Sequence, residues 1–267
     1  MSWLEALILG LIQGLTEFLP VSSSGHLELG KEIFNANLAA SDSLTFDVIV
    51  HGGTALSTIV VFWKDIVNIA KGVFEFRWNV ETRFVVLIII SMIPAALVGL
   101  VFEDQIEQLF SGQVLLVGTM LIITSLLLYL ADNAKRTHKA VKPIDAFVIG
   151  IAQAVAILPG ISRSGATIAT SVMLGISRKR AARFSFLMVL PLIIGKMILD
   201  VKGIYETGGA DIQISGLALT TGFVAAFVSG LFAVSWMIRL VRNAKLRYFA
   251  YYCFIVGLAA IVYYALT

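Results

Sequence analysis

The sequence predicts an all-α polytopic membrane protein built as an inverted-topology repeat, in which a re-entrant helical hairpin and three transmembrane helices occur twice. Three observations predict this fold: long uncharged apolar segments, a polar motif that occurs twice, and basic loops that recur along the chain. Of the 267 residues, 58% are hydrophobic and 14% are charged, compared with about 25% charged residues in soluble domains. The chain is therefore expected to form a single integral membrane domain, residues 1–267.

Six segments are apolar and long enough to be transmembrane helices, since about 20 apolar residues cross the hydrocarbon core. Four of these runs contain no charged residue: 84–102, 114–130, 217–238 and 248–267. Two further spans are predicted over residues 46–62 and 184–199.

Lysine and arginine residues are concentrated in the loops between these spans, and they predict the orientation of the chain. The basic loops are 63–83, 131–144, 177–183 and 239–247. Cytoplasmic loops of membrane proteins carry an excess of Lys and Arg, so all four loops are expected to be cytoplasmic. The turn over residues 103–111 has three acids and no Lys or Arg, as expected of an outer loop. A net charge of +3 distributed in this way does not suggest a nucleic acid as a partner.

Two shorter apolar segments end in polar loops and are predicted to form re-entrant hairpins. Residues 147–158 lie between two basic loops, so this segment has to leave the membrane on the side where it entered. As a helix it would extend about 18 Å, roughly half of the hydrocarbon thickness. Residues 1–33 are predicted to form the matching hairpin from the outer side, with helices over 3–19 and from about 24 to 33. Residues 35–43 are expected to be a loop.

These assignments divide the chain into two repeats of opposite orientation, residues 1–130 and 145–267, joined by the basic loop 131–144. The polar motif recurs with them, because adding 140 to five residue numbers of the first motif gives identical residues in the second. The pairs are Gly10 and Gly150, Gln13 and Gln153, Ser22 and Ser162, Ser24 and Ser164, and Gly25 and Gly165. Inverted repeats bring their broken helices together near the bilayer midplane, so the two motifs are expected to be the halves of one site.

The polar residues of both motifs are typical of a site for phosphate or a similar anion. Each motif brings hydroxyl groups to the start of a half-helix, where free N–H groups and a partial positive charge attract phosphate. Arg163 adds a planar guanidinium group that suits phosphate oxygens, and in lipid it would be costly without an anionic partner. The candidate binding residues are Gln13, Ser22, Ser24, Gly25, Ser162, Ser164, Gly165 and Thr167.

Three residues of the first motif favour an enzyme over a simple anion carrier. Glu17 is able to hold a divalent metal ion or to act as a base. Ser23 and His26 are three residues apart and would share a helix face, so a serine activated by the imidazole and the imidazole itself are both candidate nucleophiles. His26 could instead protonate the leaving group. Together with Arg163, these residues form the candidate catalytic set.

Each candidate also has a structural alternative that the sequence leaves open. The serines could be helix caps, and Glu17 could simply pair with Arg163 across the two repeats. His26 could be a satisfied core histidine. His51 either lines the site or is a satisfied intramembrane histidine.

The stretches QGLTEFLPVSSSGHL, residues 13–27, and LPGISRSGAT, residues 158–167, resemble the two signature motifs of the bacterial undecaprenyl-diphosphatase, or bacitracin-resistance, family. The resemblance covers the whole chain, including FDVIVHGGT at residues 46–54. Gln13 stands where the family often has glutamate, which leaves Glu17 as the sole acid of the first motif. By motif position the resemblance implies functional roles for Glu17, Ser23, His26 and Arg163.

The resemblance implies an enzyme of the bacterial inner membrane that removes the terminal phosphate of undecaprenyl diphosphate and so recycles the lipid carrier of peptidoglycan synthesis. It also implies a divalent cation, Mg or Ca, bound near Glu17, and a site open to the periplasmic side. The expected partners are the polyprenyl diphosphate substrate and membrane lipids, with a homodimer left open. A transporter or flippase of a lipid phosphate or another anion is the alternative, since inverted repeats are common in transporters.

Overall fold

The computed structural model describes residues 1–34, 40–109, 113–135, 137–206, 213–242 and 245–266, and within them all regular secondary structure is helical. The helices are α1 (Trp3–Phe18), α2 (Ser23–Ile33), α3 (Ala40–Val61), α4 (Trp63–Phe74), α5 (Val80–Val101), α6 (Glu103–Gln108), α7 (Val114–Asp132), α8 (Pro143–Val155), α9 (Arg163–Met173), α10 (Arg178–Glu206), α11 (Gly216–Arg242) and α12 (Leu246–Leu266). In these residues six helices, α3, α5, α7, α10, α11 and α12, are long and apolar enough to cross a membrane. The prediction of an all-α polytopic membrane protein is confirmed.

The predicted loop over residues 35–43 is wrong in its second half, because α3 begins at Ala40; residues 35–39 lie outside the described part of the chain. The carboxylate of Asp42, in the first turn of α3, accepts hydrogen bonds from the backbone N–H groups of Gln213 and Ile214. This contact stabilises an early start of the helix and ties it to the segment that leads into α11.

The basic loop over residues 63–83 contains the amphipathic helix α4, which the sequence analysis does not predict. Ile66 and Ile69 of α4 pack against the hydrophobic core, whereas Lys64 and Lys71 are exposed. A helix with one apolar and one basic face is suited to lie along the membrane surface.

The four basic loops meet at one end of the helix bundle. Arg183 Nε donates to Asp65 Oδ1 at 2.7 Å, which joins the start of α10 to α4. Arg247 Nε donates to Asp132 Oδ2 at 2.6 Å, which joins α12 to the end of α7, and Arg180 Nη1 donates to a backbone carbonyl of the loop before α8. A single cytoplasmic face requires this arrangement.

The first helix of each hairpin packs against the second span of the opposite repeat, α1 against α11 and α8 against α5. A Cβ atom added to Gly10 would lie 2.4 Å from the carbonyl oxygen of Gly222, and one added to Gly150 would lie 2.5 Å from that of Ser91. Only glycine permits these approaches, because the obstacle is backbone. Gly10 and Gly150 are one of the pairs separated by 140 residues, so the contacts support the predicted repeat, whose inverted orientation stays a prediction.

Candidate active site

The tips of the two hairpins share the same pattern of capping hydrogen bonds, although the backbone φ is 71° at Ser22 and −71° at Ser162. Ser22 is the N-cap of α2, and its Oγ accepts the Gly25 N–H at 3.2 Å; Ser162 is the N-cap of α9, and its Oγ accepts the Gly165 N–H at 3.0 Å. Each capping hydroxyl also lies within hydrogen-bonding distance of the hydroxyl of the serine two residues further on. The distance is 3.4 Å from Ser22 to Ser24 and 3.3 Å from Ser162 to Ser164. The capping role that the sequence left open is therefore present.

The two tips are in direct contact with each other. Ser164 Oγ donates to the carbonyl of Leu19 at 3.1 Å. Thr124 of α7 fixes the second tip, since its hydroxyl donates to the carbonyl of Gly160 at 3.1 Å and accepts the N–H of Ser162 at 3.0 Å. The structure thus brings both motifs together, as the sequence predicted.

Glu17, near the end of α1, is bound by donors from both motifs. Its Oε1 accepts from Arg163 Nη2 at 2.9 Å, and its Oε2 accepts from Ser23 Oγ at 2.6 Å and from Gln13 Nε2 at 3.0 Å. The Glu17 side chain is 4% exposed and that of Arg163 is 28% exposed. The pairing across repeats is therefore present, and the arginine is the partner that a ligand reaches more easily.

His26 is bonded to groups other than Ser23. Its Nδ1 lies 2.8 Å from the carbonyl oxygen of Ser22, which can only accept, so Nδ1 carries the proton. In the neutral ring Nε2 then accepts from the Tyr252 hydroxyl at 2.8 Å, and the two rings stack at 5.6 Å. The expected pairing of Ser23 with His26 does not occur in the part of the chain that the structure describes, because the Ser23 hydroxyl is donated to Glu17.

His51 of α3 is the imidazole that faces the carboxylate of Glu17. Its Nδ1 donates to the carbonyl of Asp47 at 2.7 Å, and its Nε2 lies 3.9 Å from Glu17 Oε2. The same tautomer argument leaves Nε2 without a proton in the neutral ring. The sequence left the role of His51 open. The feature that pointed to a role in the site was the position of this imidazole beside Gly52 and Gly53 within a predicted span.

Thr167 lies one turn into α9, behind the ion pair. Its hydroxyl donates to the carbonyl of Arg163 at 2.8 Å and lies 2.5 Å from Ser185 Oγ of α10. A cavity of about 10 Å³ beside these groups, lined in part by Glu17 and Ser164, has room for about one water. A diphosphate can enter only if the Arg163 side chain or the hairpin tips move.

The oxygen atoms beside Glu17 are suited to a hard divalent cation. Gln13 Oε1 is buried and has no hydrogen-bond partner in the described structure. Mg²⁺ is usually bound through one or two carboxylates, with substrate phosphates and waters completing its coordination. Among the described residues no group of three or more His, Cys, Asp or Glu residues could hold a metal ion. Gln13 and Glu17 therefore fit a cation only where phosphate oxygens supply further ligands.

Comparison with known proteins gives one family for nearly the whole chain. A sequence profile of the bacitracin resistance protein BacA family matches residues 6–259. An undecaprenyl-diphosphatase of Christiangramia forsetii is 58% identical over 260 residues, 97% of each chain. A protein of the same name from Parabacteroides distasonis is 50% identical, and the match covers 98% of each chain. Another from Halothermothrix orenii is 41% identical, and the match covers 97% of this chain and 96% of the relative.

Proposed function

This chain belongs to the family of the bacitracin resistance protein BacA, and from that membership we propose that it is an undecaprenyl-diphosphatase. It hydrolyses undecaprenyl diphosphate to undecaprenyl phosphate and inorganic phosphate, which returns the lipid carrier to peptidoglycan synthesis. The observation that carries the assignment of the site is the junction of the two hairpin tips, where Arg163 and Ser23 both bind the carboxylate of Glu17.

Substrate binding begins with an exchange of partners at Arg163. Its guanidinium group is the more exposed member of the ion pair with Glu17, so the terminal phosphate of the substrate can replace the carboxylate as its partner. The N-terminal ends of α2 and α9 add a favourable field for the phosphate. Stabilisation of the transferring phosphoryl group by these positive groups is expected to dominate the rate.

Ser23 supplies the nucleophile in this proposal. Its hydroxyl is already donated to Glu17 at 2.6 Å, so Glu17 takes the proton while Ser23 Oγ bonds to the terminal phosphorus and the bond to the bridging oxygen breaks. Undecaprenyl phosphate leaves. A water then attacks the phosphoserine, the bond from phosphorus to Ser23 Oγ breaks as that oxygen recovers its proton from Glu17, and inorganic phosphate departs with both protons of the water. His26 stays the alternative nucleophile, and attack by it would require it to release Tyr252.

Glu17 and Gln13 would hold a divalent cation, Mg or Ca, together with the phosphate oxygens. Such a cation neutralises charge on the diphosphate. The buried Gln13 oxygen without a hydrogen-bond partner supports this proposal.

The enzyme lies in the bacterial inner membrane, with its site reached from the periplasmic side. Support comes from the first hairpin, whose second helix ends beside the start of α3: Lys31 Nζ contacts Asp47 Oδ2 at 2.9 Å. The basic loops lie at the other end of α3, where Arg183 binds Asp65 just beyond it. The first hairpin thus enters from the end opposite the basic loops.

Release of phosphate from undecaprenyl diphosphate by the purified protein with Mg²⁺ tests the site. We expect Glu17→Ala, Ser23→Ala and Arg163→Ala each to lower kcat by about 100-fold or more, because each removes a group that acts on the transferring phosphoryl group. Arg77→Ala is the matched control, since Arg77 is an exposed arginine far along the chain from either motif, and it should retain full activity. Near-native activity of Glu17→Ala or Arg163→Ala would contradict the assignment.

A transporter of lipid phosphate is the second candidate, favoured by the predicted inverted repeat. The same assay separates the two functions, because protein in detergent has no compartments to transport between. Release of phosphate under these conditions requires hydrolysis, and its absence with intact binding of the lipid would favour transport.

A further inference from the structure

A second and much larger cavity opens at the basic end of the bundle. It has a volume of about 1130 Å³ and lies between the end of α3, α4, the start of α10 and the loop before α8. Its inner wall is apolar and includes Phe62, Ile176 and Ile238. We call it the basic cleft, because its rim carries Lys135, Lys179, Arg180 and Arg183 and its lining also includes the buried Arg178.

The rim of the basic cleft has more positive charge than its neighbours neutralise. Asp65 is the single acid among the described lining residues, and it is already bound by Arg183 at 2.7 Å. In the part of the chain that the structure describes, no carboxylate lies within ion-pair distance of Lys135, Lys179 or Arg180. Three cations at the rim are thus available to an anion.

One of these cations is held in position before any ligand arrives. Arg180 Nη1 donates to the carbonyl of His138 at 2.6 Å, which fixes the guanidinium group but leaves its charge uncompensated. Arginine held in this way suits phosphate oxygens in particular, because its planar group offers paired donors. A site of this charge next to an apolar wall suits an amphipathic ligand better than a free ion.

The surroundings of the basic cleft give its depth in the membrane. Aromatic side chains on and just after α4 are strongly exposed, with Trp63 at 59%, Phe74 at 73% and Trp78 at 72%. Tryptophan is enriched where membrane proteins cross the level of the lipid headgroups. The cleft therefore lies where phosphate groups of the cytoplasmic leaflet are found.

We propose that the basic cleft binds the phosphate headgroup of an anionic phospholipid of the cytoplasmic leaflet, with the glycerol and the first acyl carbons against the apolar wall. The anionic lipids of this leaflet are attracted by lysine and arginine near its surface. The site is separate from the hairpin tips and does not depend on the reaction proposed there.

Binding of a fluorescent short-chain phosphatidylglycerol to the full-length protein in neutral detergent tests the proposal. The double variant Lys135→Gln/Lys179→Gln should weaken binding about tenfold or more, since it removes two rim charges. The control is Lys64→Gln/Lys71→Gln, which makes the same change in net charge on exposed residues of α4 that do not line the cleft, and it should weaken binding less than about twofold.

Three results would overturn the proposal. Equal weakening in both double variants would mean that the positive end of the molecule attracts lipid without a site. Equal binding of the corresponding phosphatidylcholine would mean that the anionic headgroup is not recognised. Displacement of the probe by inorganic phosphate as readily as by unlabelled phosphatidylglycerol would identify a free-phosphate site instead of a lipid site.

Discussion

In the proposed reaction Glu17 couples substrate binding to the chemistry, because three donors share its two oxygens. Arg163 occupies one oxygen, and Ser23 and Gln13 occupy the other. In that reaction Arg163 releases Oε1 when it turns to a phosphate, and Oε2 takes the proton of Ser23. Substrate binding and activation of the nucleophile therefore involve the same carboxylate.

His51 is the second imidazole of the site and should act after Glu17. In the neutral ring its Nε2, 3.9 Å from Glu17 Oε2, is an acceptor, so it is placed to receive a hydrogen bond from the carboxyl group once Glu17 has taken the proton of Ser23. We expect His51→Gln to lower kcat by about 10- to 100-fold and to leave KM nearly unchanged, because this interaction strengthens only in the transition state.

Steady-state kinetics of phosphate release measure kcat and KM separately. The control is His138→Gln, which changes an exposed histidine in the loop before α8. A rise in KM at constant kcat would mean that His51 only helps to bind substrate.

The position of each hairpin depends on close backbone contact between helices. Helix α8 meets α5 where Gly150 faces the carbonyl of Ser91, and α1 meets α11 at Gly10 in the same way. Because the hairpin tips carry Glu17 and Arg163, a shift of either first helix would separate the two halves of the site.

Gly150→Ala should therefore destabilise the protein. Its new Cβ would lie 2.5 Å from a backbone oxygen that cannot rotate away, and such overpacking typically costs about 1–3 kcal/mol. Gly99→Ala is the matched control, since an added Cβ there has nothing within 4 Å and alanine is the better helix former by about 1 kcal/mol. Thermal unfolding in detergent compares them, and a Tm for Gly150→Ala equal to that of Gly99→Ala would contradict the packing argument.

The two ends of the helix bundle differ in charge. The basic loops, α4 and the basic cleft lie at one end, and the contact of Asp42 with the segment before α11 lies at the other. The positive-inside rule orients such a molecule with its basic end in the cytoplasm.

Labelling of intact cells with a membrane-impermeant thiol reagent tests this orientation. In a Cys253→Ser background, which removes the single cysteine, Ser215→Cys should react from outside, and Lys71→Cys should react only after the membrane is opened. Both positions are exposed in the structure. Labelling of both from the same side would overturn the topology and the periplasmic access of the site.

The sequence predicted those parts of the fold that depend on local composition. Lengths of apolar segments predicted all six spans, and the duplicated serines and glycines predicted the two hairpin tips. It missed α4 and the first turn of α3, because basic side chains and polar residues there obscured short helical patterns whose stability comes from packing.

A helical membrane protein with two matched polar loops can be predicted from the sequence alone, because hydrophobicity and capping act between near neighbours in the chain. The pairing of the polar side chains, in contrast, depends on the tertiary structure. It joined Arg163 to Glu17 across 146 residues, gave His26 to Tyr252 across 226 residues, and turned His51 toward the carboxylate. Several donors in the motifs could satisfy the same acceptor, and their choice depends on where packing of distant helices brings each group.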